Sequence, residues 1–430
     1  MILMPESLPS RSEIESLQLE QLRSLVAELI PANKFYSQKL QDAGAGFDIA
    51  SLEDFSRRFP FTTKAELVTD QKSSPPYGTD LTYPLAHYTR IHQTSGTSGA
   101  PLRWLDTPDS WEAMIASWSE IFRAADVGTG DRVMFAFSFG PFLGFWLAFE
   151  SAERLGCLCL PGGGLSSATR LRMMRENRAN VLCCTPTYAM RLAEVAAEEK
   201  IETRSLAVKT IIVAGEPGGS IPATRAKLES LWPGARIFDH HGMTEVGPVT
   251  YECPKRPGVL HVLESAYYAE VLDSATGKPA TRGELVLTTL TRVGSPLLRY
   301  RTGDLVECGA RNAECSCGSN ELTLIGGILG RTDDMIIVRG VNVYPAAVEN
   351  ILRQFPDVAE FRVHVTTANS MTELALEIEP ASICADAAAL TVRIVKAFET
   401  AMALRVSVSL APSPLPRFEM KAKRWIRDEN

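Results

Sequence analysis

The run Thr94-Ser95-Gly96-Thr97-Ser98-Gly99-Ala100-Pro101 has the composition of a loop that wraps a polyphosphate. Glycines let backbone N–H groups turn inward, and the hydroxyls of Thr94, Ser95, Thr97 and Ser98 add donors. No Lys-Ser or Lys-Thr pair follows the last glycine, so this is not a Walker A loop. Five further pieces offer chemistry. Ala214-Gly215-Glu216-Pro217 ends an apolar run that reads as a strand, the place where doubly wound sheets bind ligands. Asp239-His240-His241-Gly242-Met243-Thr244-Glu245 supplies a hydroxyl for a phosphate oxygen and a carboxylate for Mg2+. Tyr300-Arg301-Thr302-Gly303-Asp304-Leu305 sets an acid at a turn, where it can accept both hydroxyls of a ribose. Gly330-Arg331-Thr332-Asp333-Asp334 leads into Val338–Pro345 and Glu349, and Leu415–Arg424 is a basic tail. Separately, Cys253, His261, Cys315 and Cys317 join three thiols and an imidazole, the donor set of a closed structural zinc site. Their Cys-Ser-Cys spacing is tighter than the usual two-residue gap, and Cys308 is a spare ligand.

The elements that must position these groups alternate. Residues 109–126 read as an amphipathic helix. Strands at Arg132–Phe139, Gly156–Leu160, Val181–Thr185 and Lys209–Ala214 then interleave with helices at Pro141–Leu155, Arg170–Asn177, Tyr188–Lys200 and Ile221–Leu231. That order implies an α/β fold with a doubly wound, mostly parallel sheet. The hydroxyl-glycine loop, between strands at Tyr88–His92 and Leu102–Leu105, becomes the tip of a hairpin. Short strands from Arg236 to Leu329 form a β annex. After Gly330–Asp334 comes a small α+β unit, so the domains are expected at 1–331 and 332–430. Ser12 and Glu15 read as a capping box that opens the first helix.

Bulk properties narrow the partners. The 430 residues are 45% hydrophobic with a net charge of −7, which excludes a general nucleic-acid surface. An anionic ligand must be held by local donors. Met1–Pro5 is too short and uncharged for a secretory signal. Val133–Phe149 is free of charge but broken by Gly140, Pro141 and Gly144, so no membrane span is expected. Nine cysteines without an export signal argue against a disulfide framework, and the expected location is cytoplasmic. Cys157, Cys159, Cys183 and Cys184 sit in apolar runs and read as core.

In order, spacing and wording, these pieces resemble the adenylate-forming superfamily of acyl-CoA synthetases, peptide-synthetase adenylation domains and luciferases. The likeness runs from about residue 13 to the C-terminus. Gly-Glu-Pro at 215–217, Gly-Met-Thr-Glu-Val-Gly-Pro at 242–248, Leu-Gly-Arg-Thr-Asp-Asp-Met-Ile at 329–336 and the Leu-Pro-Arg of the tail are most similar to the phenylacetate–CoA ligase branch. The resemblance implies an ATP-dependent ligase that converts an acid to acyl-AMP, then to a thioester with coenzyme A or a carrier-protein pantetheine. It places Thr94, Ser95, Gly96, Thr97, Ser98 and Gly99 on the β- and γ-phosphates. Gly215, Glu216, Pro217, Asp239, His240 and His241 would line the adenine slot. Thr244 would meet the α-phosphate, Glu245 would hold Mg2+, and Asp304 with Arg331 would take the ribose. It makes Asp333 the hinge of a mobile C-terminal lid and Lys421 the catalytic lysine. Similar cysteine sets in some relatives add weight to zinc.

Three positions depart from that pattern: Ala100 for a loop lysine, Met420 for the glycine before Lys421, and His241 for a stacking tyrosine. They raise the alternatives of Lys423 as the catalytic lysine and of a nucleotide-binding relative with weak catalysis. The acid pocket is expected from Phe137, Phe142, Ala214, His240, Gly242 and Met243. Its aromatic neighbours Phe139, Phe145 and Trp146 suit an aryl or arylacetic acid.

Overall fold

The computed structural model describes residues 8–94, 101–311, 313–332, 334–339, 341–368, 371–418 and 422–427. Its centre is a five-stranded, all-parallel sheet. In spatial order the strands are Leu158–Pro161, Arg132–Phe135, Val181–Cys184, Thr210–Val213 and Arg236–Asp239. In chain order that is 2-1-3-4-5, so the winding reverses between Arg132–Phe135 and Val181–Cys184. Such a reversal opens a crevice at the C-terminal ends of the strands. Val181–Cys184 and Thr210–Val213 are buried along their whole length, as expected of strands covered by helices on both faces.

Two helices begin earlier than their periodicity suggests, and for the same reason. Pro108–Ala124 is capped by the Thr107 hydroxyl and Pro186–Glu198 by that of Thr185, each with proline in the first turn. A proline there has no N–H to waste and a φ already suited to the helix, so it starts the element. The first helix, Arg11–Leu29, has its capping box at Ser10 and Glu13 rather than at Ser12 and Glu15. The strand expected at Arg132–Phe139 stops at Phe135, and the next helix runs Leu143–Arg154.

The polar loop's flanks pair as expected. Arg90–Gln93 lies antiparallel to Arg103–Asp106, and Thr94 and Leu102 close the hairpin by Thr94 N–H to Leu102 O at 3.0 Å and Leu102 N–H to Thr94 Oγ1 at 3.1 Å. Ser95, Gly96, Thr97, Ser98, Gly99 and Ala100 lie outside the described residues. The annex contains a four-stranded antiparallel sheet of Tyr267–Leu272, Arg282–Thr289, Tyr300–Glu307 and Gly330–Arg331. Beside it, Thr250–Glu252, Val259–Val262 and Thr323–Ile325 form a three-stranded sheet.

Beyond residue 335 a distinct apolar core forms around Val338, Val343, Phe361, Val363, Leu376, Ile394 and Phe398. Val358–Ala368 and Met371–Pro380 pair antiparallel, flanked in parallel by Ser407–Leu410 and by Trp425–Arg427. That last strand was not expected. Three residues in a basic tail are too short to show alternation. Cys157, Cys183 and Cys184 are buried and Cys159 half-buried, in keeping with a core role.

Candidate active site

Three of the motifs meet at the C-terminal edge of the parallel sheet. Ala214–Pro217 follows strand Thr210–Val213, and His240–Glu245 follows strand Arg236–Asp239. Asp304 arrives from the annex, where it faces Arg331 across two antiparallel strands. Its buried carboxylate accepts from Arg331 Nη1 at 3.1 Å through Oδ1. His241 Nε2 stands 3.1 Å from Oδ2, yet neither atom has an aligned hydrogen-bond partner among the described residues. A buried acceptor left open beside a guanidinium is suited to sugar hydroxyls.

Asp239 is buried, takes the Ser220 hydroxyl at 2.6 Å, and is pushed up to about 7 by desolvation. Gly219 leaves room for it, since a Cβ there would lie 2.5 Å from Asp239 Cγ. His240 is also buried, packs edge-on to Trp118 at 4.4 Å, and is driven down to about 3 by desolvation, so it is neutral. Neither of its ring nitrogens has a partner among the described residues. Phe137 stacks on Phe145 at 4.1 Å, and Phe142 meets Phe145 edge-on at 5.9 Å. Phe142, Ala214, Gly242 and Met243 are half-buried and Phe137 is buried.

Two groups that pattern reading passes over organise the centre. Arg292, 1% exposed, grips Asp106 with Nε–Oδ1 at 2.7 Å and Nη2–Oδ2 at 2.9 Å. Its Nη1 donates to the carbonyls of Thr244 at 2.9 Å and Glu245 at 2.8 Å. One guanidinium thus ties the base of the hydroxyl-glycine hairpin to the Thr-Glu motif. Lys64 Nζ lies 3.2 Å from Oε1 of buried Glu245. Neither residue belongs to a periodic pattern, and the trace Arg292 leaves in sequence is a lone charge within the otherwise uncharged stretch 285–298.

Glu216 lies with its motif at the sheet edge, where its side chain is turned to other partners. Its carboxylate is committed to backbone donors, Thr187 N–H at 2.8 Å and Ala422 N–H at 2.9 Å, so only the main chain around it can face an adenine. Gly215 has φ +90°, a left-handed conformation that glycine adopts without strain. Asp333, Gly340, Met420 and Lys421 lie outside the described residues.

The four candidate zinc ligands converge from 64 residues of chain. Their ligand atoms all lie within 4.8 Å of one another, with Cys253 Sγ 3.6 Å from Cys315 Sγ and Cys317 Sγ 3.4 Å from His261 Nε2. Tyr251 stacks on His261 at 5.2 Å.

The parallel sheet with a Thr-Glu pair and a buried Asp304–Arg331 pair near its C-terminal edge is the setting of an adenylate-forming enzyme. The AMP-binding enzyme family matches residues 71–290, and its C-terminal domain matches residues 340–429. Phenylacetate-coenzyme A ligase of Thermus thermophilus is 33% identical over 383 residues, 87% of this chain and 83% of that one. The Escherichia coli enzyme of the same name is 29% identical over 387 residues, 87% and 84% of the two chains. A solved structure of 2-hydroxyisobutyryl-CoA ligase in the postadenylation state, 29% identical, gives a TM-score of 0.92 over 99% of this chain and 94% of that one. The same ligase in the thioesterification state gives 0.74 over 98% and 91%. The chain belongs to the AMP-binding enzyme family, in its phenylacetate–CoA ligase branch, and is an AMP-forming acyl-CoA ligase. No helix among the described residues is long and apolar enough to cross a membrane.

Proposed function

We propose that this chain activates an aromatic or arylacetic acid as its acyl-adenylate and transfers the acyl group to coenzyme A. The observation that carries the reading is the convergence of His241, Thr244, Glu245, Asp304 and Arg331 on one sheet edge, tied to the phosphate hairpin through Arg292. In the first step a carboxylate oxygen attacks Pα, the Pα–O bond to Pβ breaks, and pyrophosphate leaves with the electron pair. Two anions must approach, so the site needs cations and fixed donors. Lys421 supplies a cation, Thr244 donates to the α-phosphate, and Thr94–Gly99 holds the departing pyrophosphate. Asp304 and Arg331 orient the ribose. Buried Glu245, already paired with a cation, fits as the Mg2+ ligand, and the metal would neutralise phosphate charge. In the second step the thiol sulfur attacks the acyl carbon and AMP leaves, with 332–430 as a lid turning about Asp333 to exchange the groups around the adenylate. A cytoplasmic location belongs to this proposal.

Phe137, Phe142 and Met243 favour a flat apolar acyl group. The unpartnered nitrogens of buried His240 favour a second reading, an acid that also carries a hydroxyl. The 2-hydroxyisobutyryl-CoA ligase likeness leans the same way.

Pyrophosphate release with Mg-ATP, measured against phenylacetate, benzoates, 2-hydroxyisobutyrate and short aliphatic acids, tests the proposal. Multiple turnovers with an aryl acid only when coenzyme A is present are expected. Release stalling near one equivalent with every free thiol would instead indicate a carrier-protein acceptor. ATP binding without release for any acid would overturn the reading in favour of a non-catalytic nucleotide-binding relative.

We further propose that Cys253, His261, Cys315 and Cys317 hold structural zinc. Tetrahedral Zn–S bonds of ~2.3 Å separate neighbouring sulfurs by about 3.8 Å, close to the Cys253–Cys315 spacing. The four ligands would close the ion off from substrate and pin the sheet that follows the Thr-Glu motif. Purified protein is expected to contain about one zinc per chain and to melt lower after chelation, with Cys315→Ser losing the metal. Full metal-free protein with an unchanged melting temperature would refute this.

A further inference from the structure

The Gly215-Glu216-Pro217 motif sits at the sheet edge, but its one charged side chain points away from a nucleotide role. Glu216 bridges two segments some 235 residues apart in sequence: the first turn of helix Pro186–Glu198, through Thr187 N–H, and the tail, through Ala422 N–H. A helix N-terminus is a natural seat for a carboxylate, which explains one oxygen. The other oxygen is explained only by the tail. Around this link the same surfaces meet again. Arg424 Nη1 lies 3.5 Å from Thr187 Oγ1 while its Nε is bonded to Glu360 at 2.8 Å. Arg417 joins Glu379 of the C-terminal unit at 2.7 Å and Glu194 of the same helix at 3.2 Å.

We infer that Glu216 is a positioning residue that seats the C-terminal tail for the adenylation step. Ala422 directly follows Lys421 in the chain, so fixing its N–H fixes the approach of the segment that carries the lysine. The chain is closer to the postadenylation arrangement of the related ligase than to its thioesterification arrangement, TM-score 0.92 against 0.74. The Glu216–tail bond is thus made in a chain arranged like the postadenylation state, while the Thr187 bond lies wholly within the N-terminal unit. This inference rests on the acyl-adenylate reading above.

The test compares wild type, Glu216→Gln, Ala422→Pro and the double variant over the same acid panel. The glutamine keeps the size of the side chain but loses the charge, and the proline removes the tail donor. Each single variant is expected to lower kcat for acid-dependent ATP–pyrophosphate exchange about ten- to a hundredfold, the range of a lost charge-assisted hydrogen bond. KM for ATP, and coenzyme A-dependent consumption of presynthesised phenylacetyl-AMP, should stay within about twofold. The double variant should be no worse than the worse single, because both remove one bond. A parallel fall in both half-reactions would mean general disruption, and a rise in KM for ATP alone would mean an adenine contact. Either result overturns the inference, as does multiplication of the two effects. If wild type exchanges no pyrophosphate with any acid, the adenylation reading has failed, and amide hydrogen exchange still decides the seat. Faster exchange across 415–427 in Glu216→Gln upholds the contact, and equal rates remove it.

Discussion

In Lys421→Ala, acid-dependent pyrophosphate release is expected to fall by about 10²- to 10³-fold or more, the cost of losing one fixed partner for transition-state charge. Attack of a carboxylate on Pα concentrates negative charge on oxygens the lysine would contact. Water is a poor replacement, because it must reorient as the charge forms. ATP binding should be largely kept, since the proposed ribose and adenine contacts lie outside the tail. Consumption of presynthesised acyl-AMP by coenzyme A should also be kept, because that step needs a different set of groups. Lys423→Ala is the control. Wild-type release from Lys421→Ala together with loss in Lys423→Ala would move the role two positions along the tail.

The second large effect is expected at Arg292. In Arg292→Met, Asp106 stays buried with its bidentate partner gone, leaving His92 Nδ1 at 3.6 Å as its ion-pair partner among the described residues. Stranding a buried charge in this way costs about 3–5 kcal/mol. In the wild type, burial pushes the Asp106 carboxyl up, but Arg292 and His92 outweigh it and leave it below its ordinary value. Its stabilising contribution is therefore present above the unfolded carboxyl pKa, about 3.9, and is lost as pH falls through the lower folded value. Without Arg292 the folded value rises instead. The deficit of the variant should then grow as pH increases through about 4 and shrink in acid, as urea midpoints across pH would show. Arg292→Met with Asp106→Leu separates the two roles of the guanidinium. Removing both charges should recover most of the stability. It should not recover adenylation, because the carbonyls of Thr244 and Glu245 still lack their donor. Recovery of full activity in that double variant would show that Arg292 contributes to folding alone.

Ala100 stands where the resemblance leads one to expect a loop lysine, and a different cation stands beside the Thr-Glu motif. Lys64 already brings a cation to 3.2 Å from Glu245, from a helix that no motif marks.

By itself the chain's wording determined the chemistry on offer and the frame that carries it. Short strand-forming stretches on either side of the hydroxyl-glycine run specify a hairpin, whose flanking strands pair. Alternating apolar runs specify a parallel sheet, and the run of polar residues at 330–334 precedes a separate core. These features are legible because they are local or periodic: a strand or helix repeats its pattern over many residues, and a turn announces itself through glycine or proline. Tertiary structure alone decided which single groups meet. Arg292 reaches Asp106 across 186 residues, and Glu216 reaches Ala422 across 206. Each joins single residues far apart in the chain, with no repeat to betray it. Folding selects it because a buried charge or acceptor must find a partner somewhere, and only the packed chain determines where.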